Sequence, residues 1–162
     1  MKLVDLLESL DKPKGGSFVG VRFTKDTIDN LVGYMGNLGL DNPEPADELH
    51  TTLVIDKENP IDWMPQDFAE PLAVDPQSFS MDLFGQDRNI LVLKYDCDEL
   101  SNRHMAGQEM HGLTWDHPEY SPHVTLAYLN DSDFDFGSIA PPDFSLGISH
   151  EFVQPFNTDY GK

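Results

Sequence analysis

The chain has 162 residues, 29 of them acidic and 10 basic, for a formal net charge of −19. Its length suits one compact domain, 1–162, which can bury roughly two-thirds of its unfolded surface without metal or disulfide. So acidic a surface excludes binding along a DNA or RNA backbone or on an anionic membrane, since both need clustered Lys and Arg, while a small, locally gripped anion stays possible.

In chain order, Leu3, Leu6, Leu7 and Leu10 recur at helical spacing and predict a short opening helix, broken by Lys12-Pro13-Lys14-Gly15-Gly16. Two acids within the first eight residues replace the apolar run of a signal peptide, and no stretch reaches the roughly 18 apolar residues of a membrane span. A cytoplasmic protein is the expectation. Ser17 to Phe23 has strand composition. Thr24 can cap a helix carrying Ile28, Leu31, Val32, Met35 and Leu38, ended near Gly39. A loop with Pro43 and Pro45 leads to a strand from Glu48 to Ile55, and the Pro-punctuated stretch Asn59 to Pro76 holds an edge strand around Leu72–Val74.

Ser78 to Phe84 and Asn89 to Tyr95, flanking Gly85-Gln86-Asp87-Arg88, read as a β-hairpin. Glu99 to Gly112 is a helix with a thin apolar face, Pro122 to Leu129 a strand, Asp131 to Asp135 an acidic loop, and Leu146 to Phe156 the last strand. Strands and helices mix without βαβ alternation, so the class is α+β with antiparallel sheet. Cys97 is the single cysteine, which leaves no intramolecular disulfide and fits a buried thiol in a reducing compartment.

Of six histidines, only His50 and His123 are followed two residues later by Thr, and both open apolar strands, His50-Thr51-Thr52-Leu53-Val54-Ile55 and His123-Val124-Thr125-Leu126-Ala127-Tyr128. Side chains alternate along a strand, so His50 and Thr52 share one face with Leu53 and Ile55 behind. His123 and Thr125 likewise share a face, with Val124, Leu126 and Tyr128 opposite. Two imidazoles can act as general base and general acid across one phosphorus, while two hydroxyls donate to its non-bridging oxygens. That chemistry requires no metal or other cofactor.

The paired motifs resemble those of the 2H phosphoesterase superfamily, whose members have a bilobal α+β fold with antiparallel sheets around a central cleft and one motif strand from each lobe. Thr51 stands where that pattern usually has an apolar residue. Within the superfamily the chain resembles the phage anti-CBASS nucleases, in its short size, the opening MKLVDLLESL, the Lys-Pro-Lys-Gly turn, and the tail residues Ser149-His150-Glu151-Phe152-Val153. That resemblance implies a metal-independent phosphodiesterase acting on 3′,5′-linked cyclic di- or trinucleotide immune signals, with His50, Thr52, His123 and Thr125 carrying the reaction. It also implies substrate contacts from an aromatic, a basic and an acidic residue, by position Phe18, Lys25 and Glu151, and a stacking aromatic at Phe156 or Tyr160. A monomer is expected.

Five of the ten basic residues, Lys2, Lys12, Lys14, Arg22 and Lys25, lie in the first 25, the natural place to hold a small anion. Opening of RNA-terminal 2′,3′-cyclic phosphates or of 2′-5′ linkages is the alternative activity, disfavoured by charge. A non-catalytic sponge is the alternative class, and it would not need acid and base together. His104, His111 and His117 fit no zinc spacing, and Asp131 to Asp135 lacks the calcium-loop pattern. Trp63 and Trp115 read as packing residues.

Overall fold

A computed structural model describes residues 16–40, 42–56, 61–85, 87–111, 120–129 and 136–155. The opening helix, the acidic loop, Trp115, His117, Phe156 and Tyr160 lie outside these residues.

Two antiparallel sheets organise the chain. In the first, β1 (Ser17–Phe23) lies between β2 (Thr51–Asp56) and β7 (Leu146–Pro155), and β3 (Asp67–Val74) pairs with the far side of β7. In the second, β5 (Ile90–Lys94) lies between β4 (Ser80–Phe84) and β6 (His123–Tyr128). β3 is longer than the edge strand expected around Leu72–Val74. Its pairing with β7 is irregular between Asp67 and Leu72, where Pro71 cannot donate to a ladder. β2 begins later than expected because Ala46–Glu48 closes a 3-10 turn.

Helix α1 (Lys25–Leu38) starts at Thr24, whose hydroxyl accepts from the Thr27 amide, and ends at Gly39 with φ 65°, a left-handed turn that suits glycine. It buries Leu31 and Met35. Helix α2 (Asp98–His111) buries Leu100, His104 and Gly107, spaced at about one and two turns. Gly107 explains how a helix with so thin an apolar face packs. A Cβ there would lie 2.8 Å from the Trp63 ring and 2.9 Å from Val54, so its backbone itself meets the core. One core cluster joins Val19, Val21 and Phe23 of β1 to Leu93, Tyr95, Leu100, Val124 and Leu126, uniting both sheets and α2. A smaller one gathers Leu83, Leu91, Ala127 and Leu129 under the second sheet. Phe18 and Val92 are buried but belong to neither. They lie on the opposite faces of the two sheets, the faces that carry the histidines.

Candidate active site

On β1, Phe18, Gly20 and Arg22 stand on one face of the strand. Register places Gly20 opposite both Thr52 and Phe152. A Cβ on Gly20 would fall 2.9 Å from the Phe152 ring and from the Thr51 carbonyl, so the ring lies over bare backbone. The Arg22 guanidinium covers the Phe152 ring at 4.2 Å from its centroid and donates to the Asp47 carbonyl at 3.0 Å. His50 meets Phe18 and Phe152 at centroid distances of 5.4 and 5.9 Å. The first motif thus sits in an aromatic corner with one cation above it.

Each motif histidine is anchored in the same way. His50 Nδ1 donates to the Glu48 carbonyl at 2.7 Å, and His123 Nδ1 donates to the Ser121 carbonyl at 3.0 Å, each two residues back. A carbonyl can only accept, so both rings carry their proton on Nδ1 and present Nε2 for chemistry. The Thr52 hydroxyl lies 3.4 Å from His50 Nε2. His123 packs edge-on against Phe84 at 4.8 Å. Burial holds the His50 pKa below its ordinary value, and the positive charges of Arg22 and His123 push the same way against the Glu48 carbonyl and charge. The charge of His123 thus acts on His50, and β2 packs beside β6, so the two motif strands are neighbours.

The repetition extends to the backbone. In β2 Thr52 pairs with Gly20 and Val54 with Val19, leaving Leu53 unpaired. In β6 Thr125 pairs with Val92 and Ala127 with Leu91, leaving Leu126 unpaired. A β-bulge thus follows each motif threonine, and an extra residue reverses the alternation beyond it. Ile55 consequently pairs with Phe18 and Tyr128 with Ile90. Both stand on the cleft faces, not behind as simple alternation predicts. Residues 42–44 extend the second sheet beside β6, where Glu44 N donates to the Leu126 carbonyl and Tyr128 N to Asn42. Glu44 thereby shares the cleft face with Tyr128. Burial and the charge of Glu48 raise its pKa to about 7 against a Tyr128 hydrogen bond that lowers it.

Two of the expected substrate contacts lie elsewhere. Glu151 pairs with Val21 on the core face of the sheet and is 2% exposed. Its carboxylate accepts from Arg103 Nε and Nη2 at 2.9 and 2.8 Å, from Trp63 Nε1 at 3.1 Å and from the Gln66 amide at 3.1 Å. It is a core anchor with its oxygens engaged. Lys25 stands on the first turn of α1, its side chain 89% exposed, paired with Asp29 at 3.2 Å. The cations on the motif faces are Arg22 and Lys94, which pairs in register with His123 and forms an ion pair with Asp82 at 3.6 Å. Phe18 does reach the site. Phe152, Gly20 and Arg22 were recoverable by counting every second residue from Phe18 and from His150. Among the described residues no group of three or more metal-ligating side chains converges.

The fold is shared with crystal structures of phosphoesterases. It matches Escherichia coli LigT complexed with 3′-AMP with a TM-score of 0.60 at 14% identity, over 93% of this chain and 92% of that one. It matches a second phosphoesterase crystal structure with a TM-score of 0.63 at 15% identity, over 91% and 92%. The chain belongs to the family described as Anti-CBASS protein Acb1, which it matches over residues 15–162. It is 31% identical over 158 residues to the anti-CBASS protein of Salmonella phage S16, covering 90% of this chain and 91% of that protein. The corresponding protein of Enterobacteria phage T4 is 29% identical over 147 residues, with 90% and 91% covered.

Proposed function

We propose that this protein is a metal-independent phosphodiesterase that opens 3′,5′-linked cyclic di- and trinucleotides and so removes a bacterial immune signal. The observation that carries the reading is the duplicated motif, in which each imidazole is anchored through Nδ1, offers Nε2, and shares a strand face with a threonine hydroxyl. Family membership supplies the biological setting. His50, kept neutral by burial and by the nearby cations, is the base. Its Nε2 takes the proton of the substrate 2′-hydroxyl, whose oxygen bonds to phosphorus. As the bond from phosphorus to the 5′ oxygen breaks, protonated His123 gives that oxygen its Nε2 proton. Thr52 and Thr125 hold the non-bridging oxygens, where charge accumulates. Water then opens the 2′,3′-cyclic phosphate with the two roles exchanged. Phe18 and Arg22 flank the substrate on the first sheet.

The test is incubation with a panel of cyclic di- and trinucleotides in EDTA, with products read by mass spectrometry. Wild type should cleave, passing through a species with the mass of a cyclic phosphate. His50→Ala and His123→Ala should each lose about 10²–10⁴-fold in rate. The rate should fall on both sides of a pH optimum, and a flat profile from pH 5 to 9 would sink the acid–base assignment. Cleavage confined to RNA-terminal cyclic phosphates would transfer the activity to RNA ends. Tight binding without turnover would make the protein a sponge.

A further inference from the structure

β2 is the outer strand of its sheet, and three side chains grip three successive residues of it. The Thr51 and Tyr95 hydroxyls share a hydrogen bond of 2.7 Å. The Thr52 carbonyl accepts from the Tyr120 hydroxyl at 2.7 Å. The carbonyl of Leu53, the bulged residue, accepts from His104 Nδ1 at 2.6 Å. The His104 and Tyr120 rings stack with centroids 4.2 Å apart and planes within 10°. Thr51, Tyr95 and His104 are buried, where water does not compete for these bonds.

Two of the three grips begin beside the other motif. Tyr95 directly follows β5, and its amide donates at 3.0 Å to the carbonyl of Pro122, the residue before His123. Tyr120 stands three residues before His123 on the same approach. A continuous chain of short bonds therefore runs from the backbone entering the second motif to the backbone of the first. Fixing the Thr52 carbonyl restrains the backbone at the Cα that carries the Thr52 hydroxyl, which lies 3.4 Å from His50 Nε2.

We propose that Tyr95, Tyr120 and His104 are positioning residues that hold the two His-x-Thr motifs at a fixed separation and angle without touching the substrate. The inference rests on the reading of His50 and His123 as the acid–base pair. Base, phosphorus and acid must stand nearly in line, and a displacement of about 1 Å can cost on the order of a hundredfold in rate. A bulged outer strand is the most deformable part of a sheet, and a side-chain clamp at the bulge removes that freedom.

Tyr120→Phe keeps the ring stack and deletes only the hydroxyl. Its kcat should fall about tenfold or more while KM stays within about threefold. By NMR the His50 imidazole should titrate closer to its ordinary value than in wild type, because a loosened cleft gives it back water and distance from His123. His104→Leu should behave likewise. His104→Asn, whose amide can still donate to the Leu53 carbonyl, should recover much of the loss. The histidine pair of variants decides the matter if Tyr120→Phe does not fold. A folded Tyr120→Phe or His104→Leu with wild-type kcat and an unmoved His50 titration would overturn the proposal. The titration needs no turnover, so a wild type inactive on every nucleotide refutes the enzymatic reading alone, while the titration still judges the clamp.

Discussion

The Glu44 carboxyl is half-buried beside Tyr128 and within range of the Glu48 charge, and its pKa stands at about 7. The folded chain keeps this proton up to about pH 7, whereas the unfolded chain releases it near 4.5. Between those values the folded state binds more protons, so stability falls as pH rises through that window, and above about pH 8 the loss is complete. Solvent screening of a half-exposed group leaves a cost of about 1 kcal/mol. Glu44→Gln retains an acceptor for the Tyr128 hydroxyl without a charge. It should raise Tm by about 2–4 °C at pH 8 and leave it unchanged below about pH 5. A gain of equal size at both pH values would remove Glu44 as the seat of the linkage. Single residues are unevenly legible in the sequence. The proposed catalytic residues His50, Thr52, His123 and Thr125 stand out in the sequence because a motif written twice needs no partner to be seen. Glu151 and Lys25 stand away from the motif faces, because position along the chain does not specify a face. One residue's step along β7 separates the core anchor Glu151 from Phe152 at the site, and Arg22, not Lys25, has the parity of Phe18.

Elements carry the information that decides those faces. A bulge after each motif threonine turns Ile55 and Tyr128 into the cleft, and it exists only as a mismatch between two paired strands, so neither strand's own alternation records it. The strands and the hairpin are readable from composition, and α1 from its cap and apolar spacing. The packing of α2 is not, because it works through Gly107 against Trp63 and not through a broad apolar stripe. Glycine placement offers a contrast that tests this level. In Gly20→Ala the new Cβ meets the Phe152 ring and the unyielding Thr51 carbonyl, both at 2.9 Å. The strain should cost roughly 1–3 kcal/mol, displace Phe152 from beneath Arg22, and lower kcat/KM by at least about tenfold. Gly36→Ala, in α1 with nothing within 4 Å of the added carbon, should instead stabilise by roughly 0.5–1 kcal/mol and leave activity alone. Melting curves and kinetics on the two variants are decisive together. Equal tolerance at both positions would mean that Phe152 does not need the bare backbone of Gly20.

At the scale of the whole molecule two features oppose each other. The duplicated motif, with its matching carbonyl anchors and matching bulges, has Arg22 on one wall, over the Phe152 ring, and Lys94 on the other, paired with Asp82 at 3.6 Å. Around it the chain carries a net charge of −19. For a substrate with two or three phosphates the far field repels and the near field attracts, and salt separates the two. The Debye length shortens from about 30 Å at 0.01 M to about 10 Å at 0.1 M, so added salt first erases the repulsion summed over the surface. The Arg22 side chain, held within 4.2 Å of the Phe152 ring centroid and bonded to the Asp47 carbonyl, acts at contact distance and is screened far less. For the proposed cyclic-nucleotide substrates kcat/KM should therefore rise by a few-fold between 0.01 and 0.1 M NaCl. A protein gripping a long polyphosphate through a basic face loses affinity over the same range. Arg22→Gln should lower kcat/KM at every salt concentration yet preserve the upward slope, since the slope belongs to the surface and not to that side chain. A wild-type kcat/KM that falls with salt would mean that local cations govern approach as well as contact, and the net charge would then carry no argument about which ligands are admitted.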